Sequence, residues 1–517
     1  MTFPGLMGRQ PLTVQAIFER MRTVHGDGEV VDATGRTTYA ELADRVLRIL
    51  SVLRDLGVQR GDRVATFANN SADHLALYYA VPLAGAVLHM VNIRLYDDQV
   101  RYVVNHAGDV LVIADDDLAP QVVSLGLPCP TIVMSDLMGR AATAGLGAPS
   151  DVDEDEACGI CYTSGTTGMP KGVVYSHRAT YLHAMAACMV DHLGISQQER
   201  ILPVVPLFHA CGWGLPYAAP FTGAELVFVG ADTSPQNLAR VIEAERVTWA
   251  AGVPTIWTQL LPLVESGAHD FSSLRTIGVG GAATPRPLME AYDRAGIEIL
   301  QIWGMTETTP LACTSRPRRR HRGLDPDAMR EVRLRTGTIF AGLEARITAE
   351  DGTALPWDGT SVGELECRGP WVATAYYDDP ALGERFHDDW LRTGDMAVME
   401  PDGYFRIVDR SKDLVKSGGE WISSLELEAA ILAHPDIREA AVVGVRSKRW
   451  DERPVAVVVP VNGQVPSLAE LREFLTGRVA KWWMPDEIVV VDEVPRTSVG
   501  KYDKKAIRDQ LSYLEMP

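Results

Sequence analysis

The chain has 517 residues, of which 46% are hydrophobic, a composition that allows sizeable cores and excludes global disorder. At roughly 150 residues per domain, the length suggests about three folding units. The net charge of −19, from 49 basic and 68 acidic residues, repels nucleic acid and anionic membrane and reads as solubility.

The first ten residues lack a charged stretch followed by an apolar one, so no secretory signal is expected. Thr38 opens an apolar-periodic segment that predicts a helix through Leu53. A short strand is expected over residues 63–67, Ser71 is placed to cap a helix from Ala72, and residues 110–114 read as another strand. Alternation of this kind indicates a mostly parallel sheet covered by helices. The most apolar long stretch, residues 78–91, is interrupted by Pro82, Gly85 and His89 and is too short to span a bilayer. A soluble, cytoplasmic protein is the expectation.

An acidic run over residues 151–156 marks a solvated connection before a buried strand that ends near Tyr162. Cys158 and Cys161 in that strand form a C-x-x-C, but no second pair or nearby histidines complete a metal site, and seven scattered cysteines suit reduced thiols. Strands are expected over residues 224–229 and 276–280. Residues 316–322 form a basic island with five arginines, read as a solvated loop rather than an anion grip. From Gly363 the pattern alternates as antiparallel strands do. The last hundred residues or so read as a small α+β unit, with Ser424 capping a helix to Ala433, strands over residues 440–445 and 455–459, and a helix over residues 468–482.

The strongest chemical signal is the loop Tyr162-Thr-Ser-Gly-Thr-Thr-Gly-Met-Pro-Lys-Gly172. Glycines let backbone N–H groups surround phosphate oxygens, hydroxyls add donors and Lys171 adds charge. The loop is not a Walker A sequence, because Pro170 and Gly172 stand where a second glycine and a magnesium-binding hydroxyl would be. It resembles the phosphate-loop signature of the adenylate-forming superfamily, which includes acyl-CoA synthetases, luciferases and peptide-synthetase adenylation domains. The resemblance covers essentially the whole chain. Pro206-Leu-Phe-His209, Gly280-Gly-Ala282, Gln301-Ile-Trp-Gly-Met-Thr-Glu307, Thr393-Gly-Asp395, Asp409-Arg410 and Pro495-Arg-Thr-Ser-Val-Gly-Lys501 follow in the family's order.

The resemblance implies an α/β fold: a large N-terminal domain of mostly parallel sheets covered by helices, a β-structured subdomain and a small mobile α+β C-terminal domain. Its implied divisions are residues 1–410 for ATP and acid binding, a hinge at 411–412 centred on Lys412, and a mobile domain over 413–517. It implies ATP, Mg²⁺ and CoA as cofactors. ATP binding falls to Thr163, Ser164, Gly165, Thr166, Thr167, Gly168, Lys171, Gly280, Gly281, Ala282, Gln301, Trp303, Gly304, Met305, Thr306, Asp395, Ile407 and Arg410. Glu307 supplies a hard oxygen for Mg²⁺ with Thr163 as its hydroxyl partner. Asp395, acceptor-only when ionised, suits the ribose hydroxyls, and Trp303 offers a face to adenine. Lys501 is the catalytic lysine that bridges carboxylate and α-phosphate, with Glu307 and His209 completing the catalytic set. In a second half-reaction Lys416, Ser417, Gly418, Gly419, Glu420 and Trp421 arrive to form a pantetheine tunnel. The acyl pocket is implied at His209, Trp213, Gly214, Val253, Gly280, Met305 and Pro310, with His209 a gate or wall beside Cys211 rather than half of a nucleophilic pair.

Local wording around His209, Ser417 and Lys448 resembles medium- and long-chain fatty acyl-CoA ligases and methylmercaptopropionate-CoA ligases. Cys211-Gly212, in place of the common Asn-Ala, and Gly337-Thr-Ile339, in place of Gly-x-Pro, depart from that wording. The apolar surroundings, which include Leu215, Tyr217, Ile256 and Trp257, favour an apolar carboxylic acid as the small-molecule partner, with no nucleic acid and no membrane span. A homodimer is compatible. A second possibility keeps adenylation but changes the acid or acceptor, as in aryl acid ligases, amide formers or nitrite-using diazotases. A third is a silent nucleotide-binding homologue.

Overall fold

The computed structural model describes residues 6–163, 169–379, 385–417, 420–461, 463–496 and 502–514. Two large sheets carry the N-terminal region. One has six strands in the spatial order Thr131–Val133, Asp109–Ala114, Arg63–Phe67, Val87–Met90, Ala157–Tyr162, Gly172–Ser176, parallel except for the last pair. The other has nine strands, with Thr338–Ile339 at one edge and Gly35–Thr38 at the other. Its central members, Arg200–Pro203, Trp249–Gly252, Thr276–Val279 and Glu298–Gly304, run parallel. Helices cover both, as strands buried on both faces such as Val87–Met90 demand.

Local signals explain the covering helices. Helix Tyr39–Asp55 begins in a capping box: Thr38 Oγ1 accepts from the Glu41 N–H, and Glu41 accepts from the Thr38 N–H at 2.8 Å. Such a cap contributes about 1 kcal/mol. Ser71 caps helix Ala72–Leu83 in the same way. That helix is buried on every side, which is why it reads as an uninterrupted apolar run rather than a stripe. Among the described residues no helix is long and apolar enough to cross a membrane.

A third, antiparallel sheet contains Glu344–Thr348, Val362–Arg368, Trp390–Met399 and Phe405–Arg410. The fourth sheet begins at Val415–Ser417 and contains Ile437–Ser447, Asp451–Pro460 and Glu487–Val490. The backbone thus leaves one sheet at Arg410 and enters another at Val415.

Three expectations change in detail. The strand near 224–229 is only Glu225–Val227. The C-terminal helix cap is Ser423, whose hydroxyl accepts from the Glu426 N–H, because the Ser424 hydroxyl is engaged by Asp409 and by Lys504. The helix expected to reach Trp482 ends at Leu475, where Thr476 turns extended and Gly477 takes φ +79°; a short 3-10 turn, Lys481–Trp483, follows separately.

Candidate active site

Strands Ala157–Tyr162, Trp249–Gly252, Thr276–Val279 and Glu298–Gly304 deliver the predicted residues at their C-terminal ends, where α/β sheets bind ligands. The phosphate loop connects two antiparallel strands paired up to Tyr162 and Gly172. Its base is closed by two hydrogen bonds, from the Thr163 N–H to the Lys171 carbonyl at 2.9 Å and from the Lys171 N–H to Thr163 Oγ1 at 3.1 Å. Ser164, Gly165, Thr166, Thr167 and Gly168 lie outside the described residues, as do Gly418, Gly419 and Lys501.

Glu307 sits in the short 3-10 turn Thr306–Thr308 and is 4% exposed. The Tyr376 hydroxyl donates to its Oε1. No lysine, arginine or histidine among the described residues forms an ion pair with it, an arrangement a buried carboxylate tolerates poorly unless a cation arrives. Neighbouring Thr306 is held through its carbonyl by the Tyr175 hydroxyl at 2.8 Å. Lys171 places its ammonium 5.1 Å from the centre of the Tyr376 ring.

A second group of the predicted residues is assembled around Asp395. Its Oδ2 accepts from the Trp303 indole N–H at 2.9 Å, and its Oδ1 pairs with Arg410 Nε at 2.7 Å. Asp395 and Arg410 face each other across paired strands. The Trp303 ring is steadied edge-on by Phe405, 5.8 Å away. A carboxylate has about four acceptor sites, so two bonds leave room for sugar hydroxyls. Ile407 lies two pairs further along, opposite Ala397 and past a register shift. Gln301 braces the adjoining turn instead of standing free: its Oε1 accepts from the N–H and hydroxyl of Thr284, and its Nε2 faces the Ala282 carbonyl at 3.4 Å. Gly281 takes φ +83°, which suits glycine, and Ala282 is exposed beside it.

Around the expected acyl pocket the chain does something its residue types do not announce. Residues 210–214 all have positive φ: Ala210 at +36°, Cys211 at +45°, Gly212 at +54°, Trp213 at +58° and Gly214 at +72°. Left-handed backbone costs a non-glycine residue about 1–2 kcal/mol. Two glycines relieve part of this, and neither has space for a Cβ: one at Gly212 would lie 2.7 Å from Leu207, one at Gly214 2.4 Å from His183. The turn presses Trp213 against Gly280, where an added Cβ would be 3.0 Å from the indole. Met305 and Pro310 are joined by a 2.9 Å backbone hydrogen bond, and a Cβ on Gly304 would overlap the Pro310 carbonyl. Val253 follows the strand beside the one that leads to Gly280 and opens helix Pro254–Ser266. His209 precedes the turn, half-buried, its carbonyl accepting from Gly212. Beside the turn a small cavity of about 10 Å³ is lined by Met90, Tyr175, His183, Cys211, Gly214 and Tyr217, among others. Burial raises the Cys211 thiol well above the ordinary value, which makes a nucleophilic His209–Cys211 pair unsuitable. Leu215 and Tyr217 belong to this core, but Ile256 and Trp257 do not. Helix Pro254–Ser266 folds Trp257 back beneath Gly252, into a separate core under the nine-stranded sheet.

A sequence model described as AMP-binding enzyme matches residues 18–377, and one described as AMP-binding enzyme C-terminal domain matches residues 426–501. The chain belongs to the AMP-binding enzyme family. It is 42% identical to a long-chain-fatty-acid–CoA ligase of Thermus thermophilus, covering 98% of this chain and 97% of the relative. It is 40% identical to a 3-methylmercaptopropionyl-CoA ligase of Ruegeria pomeroyi, covering 98% of each. Among solved structures, an o-succinylbenzoate CoA synthetase of Bacillus subtilis in complex with its acyl-adenylate intermediate matches with a TM-score of 0.85 at 27% identity, over 97% of this chain and 99% of that one. The expected fold and the expectation of an AMP-forming acid–thiol ligase therefore both stand.

AMP-binding CoA ligases use ATP, Mg²⁺ and CoA. The residues fit magnesium: among the described residues Glu307 is a buried carboxylate with no cation paired to it, and no cluster of three or more His, Cys, Asp or Glu could make a dedicated cage. Mg²⁺ commonly takes one or two carboxylates and completes its shell with phosphates and water.

For an AMP-binding enzyme the C-terminal face is more tightly braced than its motif suggests. Lys416 stands 4.7 Å over the Trp421 ring, and the strand Glu420–Ile422 pairs with Val415–Ser417. Ser417 Oγ accepts from Arg453 at 2.7 Å, and Arg453 is fixed in turn by Asp486 and by the carbonyls of Trp482 and Met484. Arg508 binds the Lys412 carbonyl at 3.0 Å and pairs with Asp413. Tyr376, Tyr175 and Arg453 escaped motif reasoning, although the Lys448–Pro454 wording contains Arg453. Three of the five arginines in the basic island are engaged within the chain: Arg316 holds the carbonyls of His192 and Leu193, while Arg318 and Arg320 hold Asp402. Cys158 is buried, its thiol 3.2 Å from Thr180 Oγ1 and pushed up to about 12 by burial, in keeping with a structural role.

Proposed function

We propose that the chain activates an apolar carboxylic acid as its acyl-adenylate and transfers the acyl group to CoA, with the residue roles given below. The observation that carries this proposal is Glu307, a buried carboxylate with no cation paired to it among the described residues, linked through Tyr376 to Lys171, together with Asp395, which is held by Trp303 and Arg410. In the first step a carboxylate oxygen bonds to the α-phosphorus, the bond to the β-phosphate breaks and pyrophosphate leaves. The phosphate loop and Lys171 hold the departing charge, and Glu307 and Thr163 would hold Mg²⁺, which would supply screening of that charge. Asp395 and Arg410 orient the ribose, and Trp303, with the segment from Gly280 to Ala282, frames the base. Lys501 brings the carboxylate and the α-phosphate together.

In the second step the CoA sulfur bonds to the acyl carbon, AMP leaves, and the thiol proton is released. Rotation about residues 411–412 withdraws Lys501 and brings up the face that carries Lys416, Ser417 and Trp421. An apolar acid is favoured by the apolar side chains at the expected pocket positions, Trp213, Val253, Met305 and Pro310, none of which offers a cation. A cytoplasmic protein is supported by seven cysteines that are all free, and a homodimer is compatible with the fold.

Incubation with ATP, Mg²⁺, CoA and a panel of short, medium, long, aryl and inorganic acids tests this. AMP, pyrophosphate and an acyl-CoA are expected with apolar acids. Adenylate formed without any CoA dependence would remove the transfer step, and activity confined to aryl or inorganic acids would replace the substrate class.

A further inference from the structure

Tyr376 touches two groups of opposite charge. Its hydroxyl donates to Glu307 Oε1, and the face of its ring lies 5.1 Å from the Lys171 ammonium. The tyrosine is 6% exposed and its ring packs edge-on against Phe386, with centres 5.2 Å apart. The segment that carries it is stitched to both neighbours. The Ala373 N–H donates to the Glu307 carbonyl at 2.8 Å, and the Tyr377 N–H donates to the Gly172 carbonyl at 2.8 Å. One short stretch of chain therefore fixes the phosphate-loop base and the Glu307 turn relative to each other.

Lys171 and Glu307 contact the same tyrosine, and opposite charges in partly dehydrated surroundings attract. Left alone they would pair and cancel, and each would have to be pulled from the other before it could hold phosphate or metal. The tyrosine ring offers the ammonium a π face and the hydroxyl offers the carboxylate a donor, so both charges are satisfied without meeting. The hydroxyl acts as donor to Glu307 Oε1. Glu307 Oε2 keeps no partner among the described residues.

We infer that Tyr376 is a positioning residue that separates Lys171 from Glu307 and aims one carboxylate oxygen at the metal of a bound metal–nucleotide complex. This rests on the roles proposed above for Lys171 and Glu307. Its two contacts are separable by substitution. Tyr376→Phe keeps the ring and deletes the donor, so it frees Glu307 but leaves Lys171 on its π face. Tyr376→Leu deletes both and lets lysine and glutamate pair.

The test is calorimetric binding of a non-hydrolysable ATP analogue, with and without Mg²⁺, to the full chain and to Tyr376→Phe, Tyr376→Leu and Glu307→Gln, with thermal melting as the folding control. Wild type should bind more tightly with Mg²⁺, and Glu307→Gln should lose most of that gain. Tyr376→Phe should lose about three- to tenfold of the Mg²⁺-dependent affinity while its metal-free Kd stays at the wild-type value. Tyr376→Leu should also weaken metal-free binding. If Glu307→Gln behaves as stated but Tyr376→Phe keeps the full Mg²⁺ gain, or loses affinity equally with and without metal, the inference is overturned. If wild type shows no Mg²⁺ gain, the proposed role of Glu307 fails first. Should Tyr376→Leu fail to fold, the Phe arm alone decides the outcome.

Discussion

The indole of Trp303 donates to Asp395 across 92 residues of sequence at 2.9 Å, which joins the wall proposed for the base to the acceptor proposed for the sugar. Trp303→Phe keeps an aromatic face but removes the N–H. A hydrogen bond to a charged group contributes about 1.5–3 kcal/mol, part of which reaches the ligand through the aim of Asp395. We expect the Kd for AMP to rise up to about tenfold, measured calorimetrically, with melting temperature nearly unchanged. An unaltered Kd would mean that Asp395 needs only Arg410.

Three buried histidines make the stability of the N-terminal region pH-dependent. Burial lowers His74 and His177 to about 4 and His183 to about 3, from the ordinary 6.5. The neutral rings are in use: His177 Nδ1 accepts from the Val14 N–H, and His183 Nε2 accepts from the Leu311 N–H. Their folded values lie below the unfolded one, so the contribution is complete above pH 6.5. It is lost as pH falls toward 4 and, for His183, toward 3. Each ring should remove about 1.4 kcal/mol per pH unit inside its window. Denaturant midpoints at pH 7 and 5 should show the loss, and His183→Gln should flatten it. Equal midpoints would contradict the neutral assignment.

Lys501→Ala should reduce acid-dependent pyrophosphate exchange by a hundredfold or more, while thioester formation from supplied acyl-adenylate changes little. Comparable losses in both assays would assign Lys501 a different role.

Arg453→Lys retains the charge but cannot make the forked contacts to Asp486 and Ser417 together. Transfer to CoA should fall several-fold while adenylation holds. A fall in both would mean that Arg453 serves the folding of the C-terminal unit and not the tunnel face.

Gly280→Ala places a methyl group 3.0 Å from the Trp213 ring and 3.1 Å from the Ile302 carbonyl. The indole can move more readily than the backbone, so the change should alter the ratio of kcat/KM between short and long acids more than it alters the KM for ATP. An unchanged acid profile would exclude Trp213 and Gly280 from the acyl pocket.

Much of this was legible in residue order. Thr38 and Ser71 are hydroxyls just before apolar-periodic runs, so both helix starts could be placed. The phosphate loop is eleven residues of restricted type between two strands. What escaped has a common cause. Tyr376 reaches Glu307 from 69 residues away, out of an irregular segment without periodicity. The contact of Trp303 with Asp395 depends on how a strand of the nine-stranded sheet meets the antiparallel sheet. Ile256 and Trp257 read as pocket residues because they are apolar and follow Val253, yet the direction of a helix, not its composition, sent them to another core. The mirror-handed turn had only Gly212 and Gly214 as signals, and Ala210, Cys211 and Trp213 argue locally against it.

That turn also bears on how the pocket can be redesigned. At residues 210–213 the backbone taxes every side chain and penalises β-branched ones most, so valine, isoleucine and threonine are poor choices there whatever volume the acid requires. Asparagine and glycine are cheap in that conformation, which makes asparagine at Cys211 the replacement most compatible with the backbone. Val253 is under no such restriction, because its φ of −83° suits any residue. Libraries aimed at new acids should therefore vary size at the strand ends and restrict the turn to small or amide side chains. Retained folding across the first set and frequent loss of soluble protein among β-branched members of the second would be the signature of that division.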